Sequence, residues 1–121
     1  MVPNPYQKFM KQSVSTMRPG ELLLALYDKA IVELNRAIIF IENKDIPNAH
    51  NSIIRVKDIV EALDSSLKVR YEVTENLAAL YQYFYKLLIS ANIKKDPQIL
   101  SGLIPYFVDL RNTFAEADKI A

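Results

Sequence analysis

The 121-residue sequence has no cysteine, no tryptophan, two glycines and a single histidine. Without cysteine there is no disulfide framework, no thiolate metal site and no cysteine nucleophile, which fits a reducing compartment. Two glycines supply little of the turn chemistry that hairpins need, which argues for an all-α chain. An excess of one charge is missing too. Fifteen basic residues face fourteen acidic ones, for a net charge of +1. That balance offers no basic field to nucleic acid or to an anionic membrane. No apolar run reaches the ~18–20 residues of a membrane span, and the N-terminus lacks a signal-peptide core. The expectation is a cytoplasmic protein that does not insert into membranes. What is present is globular: 50% hydrophobic and 24% charged residues, enough for one domain with a true core.

Helical periodicity runs through most of the chain. Pro19–Lys44 spans about seven turns without an internal proline or glycine after Gly20. Its apolar positions, from Leu22 through Ile41, fill an arc of roughly 200°, wider than the stripe of a one-sided helix. Lys29, Glu33 and Arg36 form a polar line, as do Asp28, Asn35 and Glu42. Ile46-Pro47 opens a second helix whose seam is Ala49, Ile53, Val56, Val60, Leu63 and Leu67, an apparently one-faced pattern, with a turn over Lys68–Val73. A third helix over Thr74–Ile93 carries the seam Leu77, Leu80, Phe84, Leu87 and Ala91. Its tyrosines Tyr81, Tyr83 and Tyr85 are two apart and cannot share one face. Asp96-Pro97 pairs an N-cap with a first-turn proline and opens a fourth helix, with seam Ile99, Leu103, Phe107, Leu110 and Phe114. Pro105 falls inside it and predicts a kink near Gly102–Pro105. The fold predicted is an all-α antiparallel four-helix bundle over residues 19–121. Residues 1–18 form a short helical segment or lid begun by Asn4-Pro5. This segment is too short to be stable alone; it is either a movable lid or an arm packed permanently on the core.

No catalytic, metal-ligating or cofactor-binding residue is predicted. His50 follows Pro47 by three residues, so the Glu-x-x-His pairs of a di-iron bundle are absent. There is no P-loop, HExxH or GxSxG motif. An exposed histidine on a bundle also suggests a phosphotransfer domain, but Ile53 and Ile54 stand where lysine and glycine are usual. The remaining signal is surplus apolar surface on the first and third helices. It is covered by a tight core, by a homodimer of the free chain, or by an amphipathic partner segment in a groove.

The assembled residues resemble the FliS family, flagellar export chaperones that bind flagellin. The resemblance rests on Asn4-Pro5-Tyr6-Gln7-Lys8, Ser13-Val14 and Pro19-Gly20-Glu21-Leu22-Leu23. It continues in Leu26-Tyr27-Asp28 with Ala30-Ile31, and in Leu77–Tyr81 with Tyr83 and Tyr85. Ala91–Asp96 and Asp109-Leu110-Arg111 complete it. Lys29, Phe9, Phe114 and Pro105 depart from the family's usual residues.

The resemblance implies a non-enzymatic function without cofactor. Such a chaperone holds the disordered C-terminal segment of flagellin in grooves of the bundle, prevents its premature polymerisation, and passes it to the flagellar type III export gate. It also implies an N-terminal segment that occupies a groove when substrate is absent. The lid expected on that basis comprises Tyr6, Phe9 and Val14. The groove comprises Leu22, Leu26, Tyr27, Ile31, Leu80, Tyr81, Tyr83 and Tyr85, with Asn92 as a polar contact. Plain core is the competing assignment for each apolar member.

Overall fold

The structure is a computed structural model that describes residues 4–7, 19–70 and 75–120. Four long helices organise it: α1 (Pro19–Glu42), α2 (Ile46–Arg70), α3 (Glu75–Lys94) and α4 (Pro97–Ile120). Residues 5–7 add one helical turn, and no strand occurs among the described residues. Each helix packs on the next and α4 returns to α1, closing the expected antiparallel four-helix bundle.

The helix ends follow from local chemistry. Asp96 Oδ1 accepts a hydrogen bond from Gln98 N at 2.9 Å, capping α4 with Pro97 at its first position. Asp45 caps α2 through Asn48 N at 3.4 Å. At the end of α1, Asp45 N donates to Phe40 O and Lys44 N to Ile41 O. That pairing closes the helix with Lys44 in the left-handed region at φ 60°. Lys95, at φ 49°, does the same for α3, and its ammonium also donates to the Asn92 carbonyl. The α2 helix continues through Arg70, past the Lys68 start expected for the turn; residues 71–73 of that turn lie outside the described residues.

α1 buries Leu22, Leu23, Leu26, Tyr27, Ala30, Leu34 and Ala37, as its wide apolar arc requires. α2 departs from the one-faced expectation. Beside the seam from Ala49 to Leu63 it buries Ser52, Ile59 and Ala62, because it lies between α1 and α3 and must pack in two directions. The centre of α3 is also shifted. Tyr81 and Leu88 join Phe84 and Ala91 in the core, while the seam residues Leu77, Leu80 and Leu87 are half-buried. In α4, Leu100, Leu103 and Phe107 are buried. α4 stays helical across Pro105. Ser101, Gly102 and Pro105 are exposed, so the carbonyl deprived of its donor by the proline faces water.

Aromatic rings bind α1, α3 and α4 together. Tyr27 stacks on Phe114 at 5.7 Å and meets Phe107 edge-on at 6.3 Å. Phe84 stacks on Phe107 at 5.0 Å. The Tyr27 and Tyr81 hydroxyls bond to each other at 2.5 Å inside the core. Burial pushes both phenols well above the usual tyrosine range, so both stay neutral and each satisfies the other.

Tyr27→Phe or Tyr81→Phe alone strands the remaining buried hydroxyl and is expected to cost about 1–3 kcal/mol. The double variant should lose clearly less than the sum of the two, a coupling that urea denaturation of all four proteins measures. At Gly102 an added Cβ would meet nothing within 4 Å, on an exposed helical position without positive φ. Gly102→Ala is therefore expected to raise stability by about 0.5–1 kcal/mol in the same assay.

Candidate functional site

The first site element is the N-terminal arm. Asn4 Oδ1 accepts from Tyr6 N at 3.0 Å, the cap that Asn4-Pro5 predicts, and starts the turn at residues 5–7. The Asn4 amide also donates to the Asp58 carbonyl at 2.8 Å, and the Gln7 amide to Ser65 Oγ at 3.3 Å. These bonds lay the turn on α2. From there Pro5 and Tyr6 reach α1, where they line a largely apolar cavity of about 400 Å³ with Ala25, Leu26 and Lys29. Tyr6 packs half-buried against the core. Burial raises its phenol pKa, with Glu33 and Asp58 adding to the shift and Arg55 opposing it. Phe9 and Val14, the other expected lid residues, lie outside the described residues.

The expected groove residues divide by depth. Leu22, Leu26, Tyr27 and Tyr81 are buried; Ile31, Leu80, Tyr85 and Asn92 are half-buried; Tyr83 is 50% exposed. They do not share one surface. Leu26 lines the cavity beneath the arm. Tyr81 and Tyr85 line a smaller, more polar cavity of about 200 Å³ between α2 and α3, with Glu61, Asp64 and Gln82 among its walls. Lys57 sits 5.9 Å above the Tyr85 ring and 3.4 Å from both Asp58 and Glu61. Burial lowers the Lys57 pKa, but those carboxylates outweigh it and leave the ammonium above its ordinary range. Tyr83 lies on the other side of α3, beside Phe84, whose ring also meets Tyr106 from α4. Asn92 is joined to His50 across α2 and α3, its amide nitrogen 3.0 Å from His50 Nδ1.

Two stretches far apart in sequence meet at the α1–α4 seam. Arg111 Nε donates to Asp28 Oδ1 at 3.0 Å, so Leu26-Tyr27-Asp28 and Asp109-Leu110-Arg111 are joined there. Their exposed ion pair fixes register more than it adds stability.

Sequence reasoning placed Glu33 on a polar line with Lys29 and Arg36 and missed its burial. Its side chain is 0% exposed, with Lys29, Arg36 and Arg55 around it. Burial pushes its carboxyl up, but the hydrogen bonds from Arg36 and Arg55 and the charge of Lys29 prevail, so its pKa is lowered. Lys29 and Arg36, four residues before and three after on the same helix face, were the available signal. Arg55 comes from α2 and had none. Taken together, these residues offer apolar surface with polar edges, divided over more than one face of the bundle. No helix is long and apolar enough to cross a membrane, and no group of metal-ligating side chains occurs, among the described residues.

The family model described as Flagellar protein FliS matches residues 2–121. A flagellar secretion chaperone FliS from Bacillus subtilis is 33% identical over 116 residues, covering 96% of this chain and 87% of its own length. A second, from Salmonella typhimurium, is 28% identical over 100 residues, 78% of this chain and 72% of its own. The match runs from the arm that covers the cavity to the last helix, and on that ground the chain belongs to the FliS family of flagellar secretion chaperones.

Proposed function

We propose that this protein is a cytoplasmic chaperone that holds the C-terminal segment of flagellin along grooves of its bundle. The observation that carries the reading is the arm. A helical turn of the chain itself, Pro5–Gln7, already lies on α1 and α2 over an apolar cavity. A surface that accepts a short helical segment in cis suits an amphipathic segment supplied in trans. The relatives from Bacillus subtilis and Salmonella typhimurium, both flagellar secretion chaperones, support the same reading.

In this reading flagellin displaces Tyr6, with Phe9 and Val14 leaving alongside it. Leu22, Leu26 and Tyr27 form the floor of the opened groove, with Ile31 at its side. Leu80, Tyr81, Tyr83, Tyr85 and Asn92 serve the parts of the tail that pass over α3. Covering the apolar faces by which flagellin subunits associate prevents premature polymerisation. Ordering a disordered tail spends part of the contact energy, which keeps release feasible when the complex reaches the export gate.

The arm must open before the groove is free, so its closure lowers the apparent affinity by the fraction of molecules left open. Calorimetric titration with the C-terminal flagellin segment of the same organism should show saturable one-to-one binding and a negative heat-capacity change. Deleting residues 1–18 should strengthen it. Tyr6→Ala in the full chain gives up about 1 kcal/mol of partial ring burial and should tighten binding roughly fivefold. Binding unaffected or weakened by both changes would remove the competing lid and leave the chaperone. No binding by any of the three proteins would reject the flagellin reading.

A further inference from the structure

Beyond the arm, the side of the bundle where α1 and α2 meet carries an imbalance of charge. Lys29 Nζ lies 3.6 Å and Arg36 Nη1 3.0 Å from Glu33 Oε1, while Arg55 Nη1 lies 3.2 Å from Oε2. Among the described residues, three cations thus share one carboxylate, which leaves two positive charges in surplus where the whole chain has a net charge of only +1. The cationic side chains remain 43%, 54% and 48% exposed, open to a further anion. Glu33, fully buried, anchors their inner ends.

The same face of α1 also has apolar residues that the described residues leave half exposed. Val32 is 49% and Ile39 55% exposed. Lys29, Val32, Arg36 and Ile39 are spaced three, four and three apart, which places them on one side of the helix. The result is a stripe of alternating cation and hydrophobe, with Arg55 facing it from α2. Lys29 also belongs to the cavity beneath Pro5 and Tyr6, so the stripe continues directly from the arm's site.

We propose that this stripe seats an acidic amphipathic helix: the part of the flagellin tail that runs on from the arm's cavity. Its apolar residues lie on Val32 and Ile39, and its carboxylates face Lys29, Arg36 and Arg55. The assignment rests on the flagellin reading above. Charge complementarity selects the occupant. A second copy docking symmetrically through this stripe would set Lys29 and Arg36 against their own kind, and a basic helix would add to an uncompensated surplus. An acidic helix removes the surplus and covers both exposed hydrophobes at once.

The test is titration of the full-length protein with the flagellin C-terminal segment at low and high salt. Screening of two exposed ion pairs should weaken binding about tenfold between ~0.05 and ~0.5 M NaCl. A segment with its Asp and Glu residues replaced by amides should bind about tenfold more weakly at low salt and lose the salt dependence. Arg36→Gln, which leaves Lys29 and Arg55 on Glu33, should remove part of that dependence. Val32→Ser with Ile39→Ser should weaken binding roughly tenfold without lowering the melting temperature, since both side chains are half-exposed. Tail binding that ignores salt, amidation and these substitutions would overturn the stripe and keep the chaperone. Failure of the unmodified tail to bind at either salt would reject the flagellin reading, and the stripe with it.

Discussion

The constraint on which the bundle depends is the width of the apolar arc on α1. A helix whose hydrophobic residues cover more than half its circumference cannot be satisfied by one neighbour. Here α2 covers one flank and α4 the other. The ring of contacts is then closed by α3, which reaches α1 through the Tyr81 hydroxyl and α4 through Phe84. Leu22, Leu23, Ala30, Leu34 and Ala37 take the centre of the arc, where leucine alternates with alanine and permits close approach. At the outer edge of the α2 flank, near Ala25 and Leu26, the bundle falls short. That is where the arm lies.

Two polar arrangements make this packing specific rather than merely apolar. The Tyr27–Tyr81 hydrogen bond spans from α1 to α3 through the core, and each hydroxyl would be costly without the other. A shift of either helix by one residue would break it, so the pair fixes register where hydrophobic contacts alone are forgiving. Glu33 does similar work between α1 and α2. A buried carboxylate gains little net stability from its cations after desolvation, but it is intolerable if they leave. It therefore ties Arg55 of α2 to a particular level of α1. Both groups are more informative about which arrangement is chosen than about how stable it is.

The parts of this structure that were legible in the sequence are those governed by local chemistry. Asn4-Pro5 and Asp96-Pro97 read as caps because the side-chain oxygen and the ring act within two residues, and both caps form. Helix number and order followed from apolar spacing. What was not legible depended on a neighbour. Ile59, Ala62 and Ser52 fall outside the simple seam of α2, and their burial is decided by α2 having two partners. Tyr81 is central because Tyr27 waits for its hydroxyl, whereas Tyr83, with the same chemistry, points outward. Leu22 and Leu26 were assigned to a groove with core as the alternative. Sequence could not divide them from a surface such as Ile31, because depth is set by the helices across from them. Glu33 was hidden for the same reason: one of its three cations comes from another helix.

The described part of the arm is a single helical turn laid across α1 and α2. Among the described residues, the turn is held by the Asn4 cap, by three side-chain bonds to α2 and by the half-buried Tyr6 ring packed on the core. Ordering even three or four residues costs about 1–2 kcal/mol each in backbone entropy. Beneath the arm, the Tyr27–Tyr81 bond and the aromatic contacts of Phe107 tie α1, α3 and α4 together. In the proposed reading, a short cover over a floor tied together in this way protects the groove when it is empty and gives it up to flagellin.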